Sequence, residues 1–212
     1  MKRKHPARQD PPPRLPPDAV AALQKKVLDF YAERGRKLPW RETTDRYAIL
    51  VSEVMLQQTQ VVRVVPKFAR WMEEFPTPQA LAAARLEDVL ALWDGLGYNT
   101  RAKRLRELAQ VVVDKHGGVV PAAEDELLKL PGIGRYTANA VRIFADNADA
   151  VTVDANIRRI LIAEFGLDEK LSDDQLWAVA RQCLPAGRSR DWHNGLMDYG
   201  ALVMTGKATG VA

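Results

Sequence analysis

From Asp18 onward, apolar side chains recur three and four positions apart in segments separated by short breaks of proline and glycine, a pattern that admits helices and little else. Asp18 is placed to cap a first helix running to about Glu33. Asp45 is placed to cap a second, in which Tyr47, Leu50, Val51, Val54 and Met55 share one face. The same spacing predicts helices over 61–74, 77–84, 86–93, 100–116, 123–129, 136–144, 155–165, 172–184 and 192–204. The breaks between them are Phe75-Pro-Thr-Pro, Gly95-Leu-Gly, His116-Gly-Gly, Leu130-Pro-Gly-Ile-Gly and Pro185-Ala-Gly. No segment alternates with the period of a strand, and no internal repeat is present. The expected fold class is all-α, with about ten short helices arranged so that a cleft opens between two lobes.

Residues 1–17 contrast with this pattern. They hold six of the 13 prolines and five basic side chains against Asp10 alone, so they read as an extended, disordered tail. The tail accounts for the whole net charge of +4, leaving the rest of the chain balanced. Any polyanion must therefore be held by local features rather than by a global field. No apolar run reaches the length of a membrane span, and the basic N-terminus lacks the apolar stretch of a secretory signal, so a cytoplasmic location is expected. The single cysteine, Cys183, cannot make an internal disulfide. His5, His116 and His193 show no metal-ligand spacing.

Three segments carry candidate chemistry. In Leu130-Pro-Gly132-Ile133-Gly134-Arg135-Tyr136, the glycines allow a tight turn with amide N–H groups facing outward, at the start of a helix whose positive end favours phosphate. The same residues also suit a plain helix–helix turn without a ligand. Asp154 opens a helix after a β-branched run, which is equally the pattern of an N-cap. Glu53 lies off the apolar stripe of its helix and, taken alone, is a surface glutamate.

In this order and at these spacings, the hairpin and the Val153-Asp154-Ala-Asn156 run resemble the helix-hairpin-helix DNA glycosylases, the superfamily that includes endonuclease III and the adenine glycosylase MutY. Leu38-Pro-Trp-Arg, Ser52-Glu53-Val-Met-Leu-Gln57-Gln58-Thr59-Gln60, Leu92-Trp-Asp-Gly-Leu-Gly-Tyr98 and Asn194-Gly-Leu-Met-Asp198-Tyr-Gly-Ala201 look like MutY segments in the same order, covering about residues 37–204. The resemblance implies a two-lobed fold with DNA across the cleft. One lobe is expected from residues 41–151, with the hairpin, and the other from 18–40 joined to 152–212. It also implies that Glu53 protonates a departing base while Asp154 stabilises positive charge at the sugar, a division that requires an apolar pocket around Glu53 and a charged Asp154. Where lyases of this superfamily carry a Schiff-base lysine, this chain has Tyr136. That implies a glycosylase without strong strand-cleaving activity; simple packing in the cleft wall suits Tyr136 equally. Gln57 and Gln58 are expected to fill the gap left by a flipped nucleotide. Leu130, Gly132, Ile133, Gly134 and Arg135 of the hairpin, together with Gly95, Gly97, Tyr98 and Arg101 of a second turn, are expected to hold DNA. For the basic Arg101, Lys103 and Arg104, a solvated face explains the residues equally well.

The chain also departs from the family. Met204 stands where the first of four cluster cysteines should fall, so no iron–sulfur cluster is expected. The only cofactor left open is a monovalent cation at the hairpin loop. No counterpart of the MutY domain that reads 8-oxoguanine is found, and Asn99 replaces a second tyrosine common in MutY sequences. Expected function is therefore removal of adenine opposite 8-oxoguanine or guanine by a monomer acting on mismatched or damaged duplex DNA. Removal of thymine or uracil opposite guanine is the alternative, and a non-catalytic DNA-binding module is a third reading.

Overall fold

The computed structural model describes residues 11–203, which fold entirely into helices and connecting turns. The helices are α1 (Pro17–Arg34), α2 (Arg46–Leu56), α3 (Val61–Glu74), α4 (Pro78–Ala83), α5 (Leu86–Trp93), α6 (Thr100–His116), α7 (Glu124–Leu127), α8 (Arg135–Asp146), α9 (Ala155–Phe165), α10 (Asp173–Gln182) and α11 (Ser189–Leu202). A single 3-10 turn, Pro39–Arg41, links α1 to α2. Met204 lies outside the described residues.

The helix ends follow local chemistry. Asp45 caps α2 by accepting from the Tyr47 amide, and Ser172 and Gln175 form a reciprocal capping box at α10. Asp18, expected as a cap, instead sits inside the first turn of α1. Pro17 is the first helical residue, where its missing N–H costs nothing, and Pro16 precedes it without a side-chain cap. Of the tail expected over 1–17, residues 1–10 lie outside the described residues, and two of the others are bonded to the body. The Leu15 amide donates to Gln182 Oε1 at 3.0 Å and the Pro13 carbonyl accepts from Gln182 Nε2 at 2.9 Å, docking the chain onto the body before α1 begins. The helix expected over 123–129 contracts to Glu124–Leu127, because the hairpin turn takes the residues that follow.

Two hydrophobic cores result. The first is built on α2, which is buried on every face from Tyr47 to Met55, with α3, α5, α6 and α8 around it. Trp71 stacks edge-on against both Phe75 and Trp93, at 5.2 and 5.5 Å between ring centres. The second core joins Leu23 and Val27 of α1 to Ile157, Ile160 and Leu161 of α9, Trp177 of α10, and Trp192, Leu196 and Tyr199 of α11. The division differs from the expected boundaries at both crossings. Leu38 and Trp40 belong to the first core, where Trp40 meets Phe68 edge-on at 5.5 Å, and Val151 belongs to the second. The second crossing is pinned by His193. Its Nδ1 lies 2.7 Å from the Ser189 carbonyl, and its Nε2 lies 3.2 Å from the Thr152 amide, an N–H that can only donate. The ring is therefore neutral with its proton on Nδ1. Burial pushes its pKa down to about 4.

Contacts of α11 with α8 close the two lobes on each other. On its other side α11 approaches α9 so closely that a Cβ at Gly200 would lie 2.8 Å from Asn156 Cβ, so only glycine fits there. That approach fixes where α9 begins, and with it the position of Asp154.

Candidate active site

A cavity of about 340 Å³ opens where α2, the start of α8, the start of α9 and the middle of α11 converge, and Glu53, Tyr136, Asp154 and Asn156 all line it. This volume falls in the range typical of small-ligand sites.

Glu53 reaches the cavity from the centre of α2. Because that helix is enclosed by the first core, its polar positions cannot face bulk water: the Ser52 hydroxyl turns back to the Ile49 carbonyl at 2.7 Å, and Glu53 points into the cavity instead. Glu53 is buried, which excludes the surface reading that the helix periodicity alone permits. Burial pushes its carboxyl up to about 7. The negative charge of Asp154 adds to the shift and the Arg41 guanidinium opposes it.

Asp154 is the N-cap of α9. Its Oδ1 accepts from the Ile157 amide at 2.7 Å and its Oδ2 from Asn156 Nδ2 at 3.3 Å. Burial pushes this carboxyl up as well, whereas the division of labour read from the resemblance assumes a fully charged Asp154. The donors at Ile157 and Asn156, with the charge of Arg159, hold the rise back. Tyr136, in the first turn of α8, is held well above its ordinary pKa by burial and by the charges of both carboxyls, so its phenol stays neutral.

An arginine pair behind Glu53 went unrecognised in the sequence. Asp198 of α11 is completely buried and receives two bonds from Arg41, at 2.8 and 2.9 Å. Arg36 adds its amide at 2.8 Å and its Nε at 2.6 Å. Burial alone would raise the Asp198 carboxyl, but the hydrogen bonds and charges of Arg41 and Arg36 bring it below the usual range. Arg41 is thus fixed beside Glu53 by a residue 157 positions away in the chain. The only local signal was that both lie within segments singled out above, Leu38-Pro-Trp-Arg and Met197-Asp198.

The remaining candidates form the rim. Gln57 and Gln58, in the turn after α2, are exposed, and Gln57 also lines the cavity. Gly95, Gly97 and the exposed Tyr98 form a second turn nearby. In the hairpin, Leu130 and Ile133 are buried in the first core, so their side chains are not available to DNA, whereas Gly132 and Gly134 are exposed. Gly132 has φ +79°, which favours glycine, whereas Gly134 has an ordinary φ of −101°. Arg135 is exposed but engaged, at 3.0 Å from Asp174 and 3.9 Å from the centre of the Trp177 ring. Arg101 corrects the sequence reading most: it is buried, with both terminal nitrogens bonded inside the protein. Lys103 and Arg104 are exposed on the same helix.

A sequence profile of the HhH-GPD superfamily base excision DNA repair proteins matches residues 51–184. Over 199 residues the chain is 42% identical to the adenine DNA glycosylase of Rattus norvegicus, an alignment spanning 88% of this chain and 39% of the rat protein. Over 186 residues it is 42% identical to the adenine DNA glycosylase of Mycolicibacterium smegmatis, covering 86% of this chain and 64% of that protein. The chain therefore spans less than two thirds of the length of either relative. Among solved structures, a thermostable thymine-DNA glycosylase superposes with a TM-score of 0.81 at 30% identity, covering 91% of this chain and 90% of the other.

Proposed function

This chain belongs to the HhH-GPD superfamily of base excision DNA repair proteins, and from that membership and the pocket we propose that it is a DNA N-glycosylase releasing adenine opposite guanine or 8-oxoguanine. The observation that carries the reading is the pair of carboxyls in one cavity, Glu53 pushed up to about 7 and Asp154 supplied with hydrogen-bond donors.

In this reading the target nucleotide leaves the stack and its base enters the cavity. Glu53, about half protonated at neutral pH, gives its proton to a ring nitrogen of the base as the bond between that base and the sugar breaks. The electron pair leaves with the base, and the sugar becomes cationic at its anomeric carbon. Asp154 faces that charge, and water then adds to the sugar, losing a proton to the Glu53 carboxylate, to leave an abasic site. Tyr136 is a neutral phenol with no amine to form a Schiff base, so the backbone is left uncut. Exposed amides of the hairpin loop hold the phosphates of a single duplex bound by one copy of the chain. A monovalent cation at that loop fits the same picture. Its ligands would be backbone carbonyls, such as that of Leu130, which keeps one lone pair free beyond the bond from Ile133.

A second reading, removal of thymine or uracil opposite guanine, is supported by the likeness to a thymine-DNA glycosylase, with a TM-score of 0.81 at 30% identity. Single-turnover base release distinguishes the two on duplexes holding adenine opposite 8-oxoguanine or guanine, and thymine or uracil opposite guanine. Adenine release is the expected outcome. Release of pyrimidines alone would move the protein to the second reading, and tight binding with no release from any duplex would leave a DNA-binding module.

A further inference from the structure

Arg101 sits at the first turn of α6 with its fork spread between two separate turns of backbone. Its Nη1 donates to the carbonyls of Val54, Met55 and Gln57 at 2.8, 3.0 and 2.6 Å. These carbonyls form the end of α2, where unpaired acceptors and the negative end of the helix dipole collect. Its Nη2 donates to Thr59 Oγ1 at 3.1 Å and to the carbonyls of Leu96 and Gly97 at 2.9 and 3.1 Å. None of these partners is a carboxylate, so a buried positive charge is met entirely by carbonyl dipoles and one hydroxyl. The Trp93 and Tyr98 rings lie 5.2 and 5.7 Å from the guanidinium carbon.

The two turns held in this way are the strained ones. Among the described residues, positive φ occurs at only three non-glycine positions, and two of them are Gln58 at +56° and Tyr98 at +47°, one in each turn. Both side chains are exposed, and Thr59 Oγ1 lies 3.3 Å from both the Gln57 and the Leu96 carbonyls, closing the gap between the turns. Strained conformations persist only where their surroundings over-determine them. Here one side chain does so, its four terminal N–H groups shared among six acceptors.

We propose that Arg101 is a positioning residue that clamps the Gln57–Thr59 turn at the cavity rim to the Gly95–Tyr98 turn, so that both press on DNA as one rigid body while a nucleotide is drawn out. The role as stated rests on the glycosylase reading; the clamp itself does not. Geometry rather than charge does the work, because a lysine carries one nitrogen and cannot bridge both turns.

The test uses Arg101→Lys, Arg101→Met and the milder Thr59→Val, which deletes only the bridging hydroxyl. Amide hydrogen exchange on the free protein is expected to show residues 57–59 and 96–99 losing protection together in all three variants, least in Thr59→Val, while α8 and α9 keep theirs. Loss in one turn only, or full protection in Arg101→Lys, would overturn the clamp. Should the arginine variants fail to fold, Thr59→Val decides the matter by the same criterion.

The second measurement compares single-turnover release from adenine paired in a duplex with release from adenine in an unpaired bulge, where extrusion needs little work. Arg101→Lys is expected to slow the paired substrate about tenfold or more, a loss worth about 1.4 kcal/mol, and to slow the bulge far less. Equal slowing of both would overturn the positioning role. If the unmodified protein releases no base at all, the glycosylase reading fails while the exchange result still decides the clamp.

Discussion

The two carboxyls that face each other across the cavity are chemically alike and are treated in opposite ways. Glu53 comes from the middle of a helix, where every backbone amide is already spent in the helical ladder, so the main chain offers it nothing. Asp154 comes from the first position before a helix, where amides lack partners, and it takes the amide of Ile157 and the side chain of Asn156. Burial raises both: Glu53 is pushed up to about 7, and the rise of Asp154 is opposed by its donors and by Arg159. Position along a helix thus decides which of the two receives backbone and side-chain donors.

The sharpest way to break this contrast is to neutralise each carboxyl in turn. Glu53→Gln should lower single-turnover base release by roughly 10²–10⁴, the range for loss of a general acid. In the unmodified protein, release should fall as pH rises through about 7, because the protonated form is the active one. Asp154→Asn should cost about 10²–10³ in rate. Duplex binding and melting temperature should change little, since asparagine caps a helix about as well as aspartate. Equal release by Asp154→Asn and the unmodified protein would remove Asp154 from the chemistry.

A smaller effect tests the scaffold that fixes Arg41 beside Glu53. Asp198→Asn should destabilise the fold by about 3–5 kcal/mol, because it leaves two guanidinium groups without their buried anion. Denaturant unfolding would measure it. An unchanged midpoint would show that water replaces the pair.

The last comparison uses stability itself. The folded pKa of Glu53 is raised from 4.5 to about 7, so between those values the native state holds the proton more tightly than the unfolded chain. Its contribution to stability therefore falls as pH rises through that window, by about 3 kcal/mol in all. His193 runs the other way. With its folded pKa lowered to about 4, its contribution falls as pH drops from 6.5 towards 4. Glu53→Gln should accordingly be more stable than the unmodified protein above pH 7 and no more stable near pH 4.5, read from thermal unfolding across that range. A constant difference at all pH values would show that Glu53 is not the group that titrates.

Much of this architecture is legible in the sequence because helices are local. Spacing placed α3, α5, α6 and α9 correctly, since apolar periodicity and end signals act within a few residues. Errors arose where another part of the chain intervened. Asp18 loses its capping position to Pro16, Pro13 and Leu15 bond to Gln182, and Leu38 and Trp40 cross to the first core. Arg101 reads equally as a DNA contact or as a basic residue on a solvated face, and no periodicity reveals that its partners include carbonyls more than 40 positions away.

The sequence by itself determined that the chain is all-helical and carries a hairpin loop, with Glu53 and Asp154 each at a defined place on a helix. Those facts follow from hydrogen bonds and side-chain spacings confined to a few residues. Tertiary structure alone decided that the two carboxyls share one cavity, that Glu53 is dry enough to keep a proton near neutrality, and that Asp198 and Arg101 do their work inside the protein. Desolvation and long-range charge depend on which distant segments surround a group, and that surrounding exists only once the two lobes have closed on each other.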